Sequence, residues 1–231
     1  MQKTALLWPR EFFKLAFADT QKYVPRKDMA KVLEPGDILL MSMDSSANDP
    51  TEGLLGKLVA TYRKVAPTLQ GDMGHSAMYV GDGKLVESRA GEGVTLKDIY
   101  SASKNKDVLA IRPRASEDDR SRAAAFAISQ VGKGYDNKAL AFTSLGVMVP
   151  TEVTQLLGKM FNKEERISGA IDKWTCSNLI AAAYPNTDLD AAGITMAAPS
   201  AFRKSKDIDP LFRTRPREAL LRPTWGRLSD D

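Results

Sequence analysis

Cysteine and histidine are almost missing from this chain, whose 231 residues contain one of each. Internal disulfides, Cys-rich metal sites and histidine clusters are therefore excluded. Apolar runs are also short, and none approaches the ~20 residues that a helix needs to cross a bilayer, which excludes a transmembrane helix. Pro9, Arg10 and Glu11 interrupt the first apolar stretch well before it reaches the length of a secretory h-region. We therefore expect no export signal, and a protein that is cytoplasmic when synthesised.

Aromatic residues are scarce at 7%, yet hydrophobic residues reach 43% and charged residues 27%. This composition is typical of a folded domain rather than of a disordered chain. The net charge is +4, and residues 201–231 carry eight basic and five acidic side chains. This basic segment is either a solvated tail or a docking arm for an acidic partner. It lacks interleaved aromatic residues and any known reader motif, which argues against nucleic acid as the partner.

Proline and glycine divide the chain into three parts. Residues 1–34 are predicted to form an N-terminal helical extension, residues 35–212 one domain, and residues 213–231 a basic C-terminal arm. The N-terminal helices either pack on the domain's own core or, like residues 201–231, dock a protein partner. Within the domain, residues 137–171 hold two weakly helical, apolar stretches.

Apolar patterning predicts an α+β domain. The predicted elements are strands at 37–41 and 108–112, a hairpin across 73–88 that turns at Gly81-Asp82-Gly83, and helices at 50–66, 116–131 and 175–184. Residues 94–100 are predicted to be a connector. Strands and helices do not alternate strictly, and the hairpin is antiparallel. We therefore expect a mainly antiparallel sheet packed against helices.

Cys176 lies at the predicted start of the last helix. With Thr175 as N-cap, the cysteine falls in the first helical turn, beside backbone N–H groups that have no partner within the helix. The positive end of the helix dipole lowers the pKa of a thiol and stabilises the nucleophilic thiolate. The alternative interpretation is a small buried cysteine of the core.

His75 and Glu87 lie on the two strands of the hairpin. If the turn is a three-residue loop with Val80 opposite Lys84, Ala77 pairs with Glu87, and Glu87 and His75 become diagonal neighbours on one face. A two-residue turn would instead put them on opposite faces. The alternative interpretation of His75 is a structural histidine that forms hydrogen bonds. The alternative for Glu87 is a strand carboxylate that faces solvent. Together with Cys176 these residues supply a nucleophile, a base and a group that orients the base, as acyl transfer requires.

Five short motifs strengthen this interpretation through their order along the chain. They are Pro35-Gly-Asp-Ile-Leu-Leu40, Gly74-His-Ser-Ala-Met-Tyr-Val-Gly-Asp-Gly-Lys-Leu-Val-Glu-Ser88, Val108-Leu-Ala-Ile-Arg-Pro113, Gly132-Lys-Gly-Tyr-Asp136 and Thr175-Cys-Ser-Asn-Leu-Ile180. This order resembles the circularly permuted branch of the NlpC-type papain-like cysteine peptidases, the YiiX/YebB-like group related to the lecithin:retinol acyltransferase fold. The resemblance covers residues 35–212. Residues 137–171 are then a helical insertion that we expect to cap the cleft.

The resemblance implies a papain-like site in permuted chain order, with histidine first and cysteine last. It assigns Cys176 as the nucleophile, His75 as the base and Glu87 as the third member. Tyr135 looks like the tyrosine that lines the substrate side of such sites; the alternative is a hydrogen-bonded core tyrosine. No metal or cofactor is implied.

The implied function is that of a cysteine peptidase or amidase acting on bacterial cell-wall peptides, delivered to the envelope within a phage particle or a secretion assembly. One alternative is an acyltransferase or thioesterase acting on lipid-like esters, as in the acyltransferase relatives. Another is a catalytically idle structural or binding module that retains the triad.

Overall fold

The computed structural model describes residues 22–42, 73–137, 139, 172–189, 202–203 and 205–214. Four predictions lie wholly or mostly outside the described residues: the helix at 50–66, the N-terminal extension before residue 22, the 137–171 insertion and the arm beyond residue 214.

Nine strands, three α-helices and one 3-10 helix make up the described fold. The strands are β1 (Lys22–Tyr23), β2 (Ile38–Ser42), β3 (Met73–Gly81), β4 (Lys84–Arg89), β5 (Gly93–Asp98), β6 (Val108–Pro113), β7 (Gly134–Tyr135), β8 (Lys173–Trp174) and β9 (Ile208–Arg213). The helices are the 3-10 helix Arg26–Lys31, α1 (Ile99–Ala102), α2 (Glu117–Ser129) and α3 (Cys176–Ala183).

Seven strands form one sheet in the order β1-β9-β6-β2-β3-β4-β5, and β7 and β8 form a small parallel pair. Every pairing in the large sheet is antiparallel except that of β1 with β9. The predicted α+β class with a mainly antiparallel sheet is therefore confirmed.

The sheet is buried on both faces, which explains why β2 reads as a continuous apolar run. Ile38 and Leu40 point into a core that includes Leu179 of α3 and residues of α2. Leu39 and Met41 point into a second core on the opposite face, beneath the 3-10 helix and α1. Alternate side chains of an extended strand point to opposite faces, so both sets must be apolar.

The hairpin between β3 and β4 differs from its prediction in the turn. Gly81 pairs with Lys84, so the turn has two residues, and positive φ angles at Asp82 (49°) and Gly83 (67°) match a type I′ turn. The predicted pair of Val80 with Lys84 is therefore wrong. Val80 is instead the extra residue of a bulge that shifts the register between Tyr79 and Gly81.

Five of the nine described strands are not anticipated by the sequence pattern: β1, β5, β7, β8 and β9. The predicted connector at 94–100 is wrong, because residues 93–98 form β5, which pairs along the whole of β4. The strand β9 lies between β1 and β6 in the sheet, so the prediction that residues 201–231 form a tail or arm is wrong for residues 208–213. It contains Pro210, which interrupts the strand signal; the register shift beside its partner Ile111 accommodates this residue.

The described part of the predicted N-terminal helical extension contains the 3-10 helix, but Lys22–Tyr23 form the strand β1 instead of a helix, and both pack onto the same sheet. Val24, Met29 and Leu33 are buried in the core of the face that carries the 3-10 helix. In the described part of the chain, no helix has the length and apolar character required to span a bilayer.

Candidate active site

His75 and Glu87 form a short polar contact across the hairpin. Their side chains are twelve positions apart in sequence, and His75 Nε2 lies 2.6 Å from Glu87 Oε2. The predicted pairing of Ala77 with Glu87 is confirmed, and it places Glu87 diagonally opposite His75. The Glu87 carboxylate therefore orients the imidazole and leaves Nδ1 as the ring nitrogen available to another group.

Two cations contact the second oxygen of Glu87. Lys97 Nζ lies 3.3 Å and Arg89 Nε 3.6 Å from Glu87 Oε1, and the Glu87 side chain is fully buried. A buried carboxylate is costly unless opposite charges compensate it. Lys97 and Arg89 supply that compensation from β5 and β4, so Glu87 remains a stable anion behind His75.

The start of α3 fixes the position of the cysteine. Thr175 is the N-cap, and its side chain accepts a hydrogen bond from the backbone N–H of Asn178, as predicted. Cys176 is thus the first residue of the helix, where backbone N–H groups lack partners within the helix. The residue is 8% exposed, so it lies at the boundary of the core rather than in open solvent.

Trp174 ties this helix start to the sheet and to α2. The carbonyl of Trp174 accepts a 2.7 Å hydrogen bond from Ser88 Oγ, the residue that follows Glu87 on β4. The indole N–H donates to Gln130 Oε1 at 3.1 Å, and the ring packs edge-on against Phe126. The segment that carries Cys176 is consequently anchored one residue away from Glu87.

Cys176 Sγ contacts Ser177 Oγ at 3.9 Å, and the imidazole of His75 and the backbone of Ser76 lie close enough to the thiol to affect its pKa. Burial by itself raises the pKa of the Cys176 thiol, but the hydrogen bond and charge of His75, together with the Ser76 backbone, outweigh burial and lower the pKa from 9.0 to about 7. The pairing of β3 with β4 starts at Ala77. On the side that faces β4, the backbone of Ser76 is therefore available to the sulfur of Cys176. A substantial thiolate population at neutral pH follows.

The pKa values of His75 and Glu87 are shifted in the directions that favour charge separation. Burial lowers the pKa of His75, yet its hydrogen bonds to Cys176 and Glu87 overcome burial and raise that pKa above the ordinary 6.5. Burial likewise opposes ionisation of Glu87, but the hydrogen bond from His75 and the charges of Arg89 and Lys97 lower its pKa from 4.5 to about 2. The three groups are therefore poised as carboxylate, imidazolium and thiolate.

Tyr135 lies on the neighbouring two-stranded sheet. It is half-buried in β7 and pairs in register with Trp174 of β8, two residues before the cysteine. The backbone N–H of the next residue, Asp136, donates to the carbonyl of Trp174 at 3.2 Å. The structure thus brings Tyr135 to the helix start, while its contact with a substrate stays a prediction.

Sequence reasoning missed four contributors to the site: Ser76, Ser88, Arg89 and Lys97. Arg89 was within reach of the sequence, because it follows Glu87 by two positions and so shares its face of β4. Lys97 required recognition of β5, and the roles of Ser76 and Ser88 depend on where β3 and β4 separate.

Comparison with known proteins adds no assignment to this geometry. No family model matches the chain, and a search of curated proteins finds no significant similarity. The function must therefore be argued from the site itself.

Proposed function

We propose that this protein is a thiol hydrolase, a cysteine peptidase or amidase that acts through Cys176, His75 and Glu87. The observation that supports this most directly is the 2.6 Å contact of His75 Nε2 with Glu87, beside a Cys176 thiol whose pKa His75 lowers. A nucleophile, a base and a group that orients the base are the components of acyl transfer.

The proposed reaction begins from the imidazolium–thiolate pair. The Cys176 sulfur attacks the carbonyl carbon of an amide or ester, and the developing oxyanion is stabilised by the backbone N–H of Cys176 at the helix N-terminus. His75 then gives its proton to the leaving amine or alcohol, which departs and leaves an acyl-enzyme. Water, deprotonated by His75, hydrolyses the acyl-enzyme and regenerates the free thiol.

Glu87 has a positioning role in this scheme. Its bond to Nε2 fixes the ring so that Nδ1 faces the thiol, and its negative charge stabilises the imidazolium. The cations Arg89 and Lys97 keep Glu87 ionised, so the carboxylate does not take the proton that the leaving group needs.

The fold proposed for this site is the permuted papain-like arrangement of the NlpC type. Three features support it: an antiparallel sheet, a helix that begins at the cysteine, and a chain order in which the histidine and carboxylate strands precede the cysteine helix. The resemblance described above motivates cell-wall peptides as the substrate class. Lipid-like acyl esters are the alternative, since the same acyl-enzyme forms from either.

Single substitutions at the cysteine test the proposal. Cys176→Ala should abolish turnover of muropeptides and of p-nitrophenyl acyl esters, assayed side by side, because no acyl-enzyme can form. Ser76→Ala is a matched control: it removes a buried hydroxyl that makes no hydrogen bond among the described residues but keeps the backbone donor, so activity should persist. Hydrolysis retained by Cys176→Ala would contradict the proposal. Turnover of esters alone would reassign the substrate class.

A further inference from the structure

A polar cavity of about 290 Å³ lies against β4 and β5 and the segment that follows α1. Its lining consists of Arg89, Lys97, Ser101, Ala102, Lys104 and Lys106. Four of these six residues are cations and none is an acid. Such a lining favours an anionic ligand, and the volume suits a small ligand or the charged end of a larger one.

Carboxylates account for only part of this positive charge. Arg89 and Lys97 contact Glu87, and both also contact Glu92 on the surface. The side chain of Lys104 is exposed and forms no ion pair with any residue that the structure describes. The requirements of the triad therefore explain Arg89 and Lys97 but not Lys104.

Lys106, unlike Lys104, is a buried cation of this cavity. The residue is 8% exposed, and its Nζ donates a 2.7 Å hydrogen bond to the carbonyl of Ala102. A guanidinium from another element comes close, since Arg26 Nη2 donates to the carbonyl of Lys106 at 2.6 Å. Cations gathered around one cavity repel one another, and a bound anion would relieve that repulsion.

We propose that this cavity is a binding site for a phosphate group, with Lys104, Lys106, Arg89 and Lys97 as its cations. A phosphate monoester carries about −1.5 to −2 charges and three acceptor oxygens, which suits several donors that come from different elements better than a single carboxylate does. The phosphate belongs either to a free phosphorylated molecule or to an anionic lipid headgroup. The site shares Arg89 and Lys97 with the candidate triad, but phosphate binding does not require the proposed thiol chemistry.

Phosphate binding is measured directly by titrating inorganic phosphate at constant ionic strength and following the backbone amide shifts of Ser101 and Lys104 by NMR. Saturable shifts should appear in the wild-type protein. Lys104→Glu should raise the dissociation constant for phosphate about tenfold, because one charge-assisted contact is lost. Lys104 is exposed, so the substitution should leave the fold intact. If Lys104→Glu does not fold, Lys104→Gln replaces it in the same titration.

The matched control is Lys22→Glu, at an exposed lysine of β1 on the opposite edge of the sheet. It makes the same charge change and should alter the dissociation constant by less than about twofold. Absence of saturable shifts in the wild-type protein, or equal weakening by Lys22→Glu and Lys104→Glu, would overturn the proposal, since either result means that no specific site exists.

A second arm of the experiment distinguishes the two sources of phosphate. Vesicles of phosphatidylcholine with phosphatidylglycerol are compared with vesicles of phosphatidylcholine alone, using wild-type protein and both variants. Binding to the anionic vesicles that depends on Lys104 supports a lipid headgroup as the ligand. Saturable binding of inorganic phosphate without vesicle binding supports a free phosphorylated molecule. Either result supports the site when the saturable phosphate shifts are also present, because absence of those shifts overturns the proposal.

Discussion

His75 and Glu87 contact each other at 2.6 Å because a bulge compensates for a two-residue turn. With the turn alone, Glu87 would pair with Met78 and point away from His75. The extra residue Val80 moves the pairing by one position, so that Glu87 lies opposite Ala77 and shares the face of His75. The geometry of the candidate triad thus depends on a local irregularity of β3.

Glu87→Gln should keep the orientation of His75 but remove its negative partner. A glutamine oxygen still accepts the imidazole hydrogen bond, whereas the imidazolium loses stabilisation worth roughly 1.5–3 kcal/mol. We expect turnover and thiol reactivity at pH 7 to fall about tenfold or more. Stopped-flow or steady-state kinetics on the same substrate measures this.

Glu92→Gln is the control for that substitution. Glu92 also contacts Arg89 and Lys97 but lies on the surface, and the contact of Glu87 with His75 does not involve it. Its kinetics should resemble those of the wild-type protein. Equal loss in the two variants would mean that the charge of the cation cluster, not the His75 contact, controls reactivity.

The depressed pKa of Glu87 predicts a loss of stability in acid. The folded-state pKa of about 2 lies below the ordinary 4.5, so this carboxylate contributes stability that is present above pH 4.5 and is lost as the pH falls toward 2. His75 has a raised pKa, and it is protonated in both states in this window, so it adds no pH dependence there.

Urea unfolding of the wild-type protein and of Glu87→Gln measures this contribution. The difference in unfolding free energy should shrink by on the order of 2 kcal/mol between pH 6 and pH 3, because only the wild-type carboxylate titrates. A difference that is constant over this range would show that Glu87 is not ionised in a stabilising ion pair.

Thr175→Ala should destabilise the helix that carries the cysteine. The side chain of Thr175 caps the N–H of Asn178, and loss of an N-cap costs about 1 kcal/mol, or roughly 2–4 °C in Tm for a protein of this size. Thr175→Ser keeps the capping oxygen and should retain most of the stability. Thermal unfolding followed by circular dichroism checks both, and equal Tm losses would exclude the cap as the cause.

Arg112→Leu should be among the most destabilising single substitutions. Arg112 makes two 2.8 Å hydrogen bonds to Asp37, whose side chain is fully buried. Removing the guanidinium leaves a buried carboxylate without its main compensation, at a cost of about 3 kcal/mol or more.

A second substitution tests whether the buried charge is the reason. Asp37→Asn combined with Arg112→Leu should be less destabilising than the sum of the two single changes, as measured by chemical denaturation. Additive losses would contradict this explanation.

Local signals made much of the fold predictable. An apolar run predicts the buried strand β2, and a Gly-Asp-Gly sequence predicts the hairpin. A Ser or Thr before the helix predicts the capped starts of α2 and α3. The pairing of Ala77 with Glu87 was also predictable. The turn that produces it was not, because a three-residue loop and a two-residue turn with a bulge give the same register.

Features that depend on distant partners were not predictable from the sequence. The strand β5 is an edge strand with Leu96 exposed, so it lacks the alternation of a half-buried strand. The contact of Lys97 with Glu87 could not be foreseen without that strand. Pro210 interrupts the strand signal of β9 in the sequence. This strand is stabilised by pairing with β6, which is distant along the chain.

The rate of Cys176 alkylation by iodoacetamide, measured against pH in the wild-type protein and in His75→Ala, tests the central claim most directly. The account predicts a midpoint near pH 7 for the wild type. In His75→Ala the midpoint should move above the ordinary thiol value of about 8.5, because burial then acts without a compensating imidazolium. A wild-type midpoint at or above that ordinary value, or one unchanged by the loss of His75, would contradict an activated thiolate and leave a structural module that merely retains the three residues.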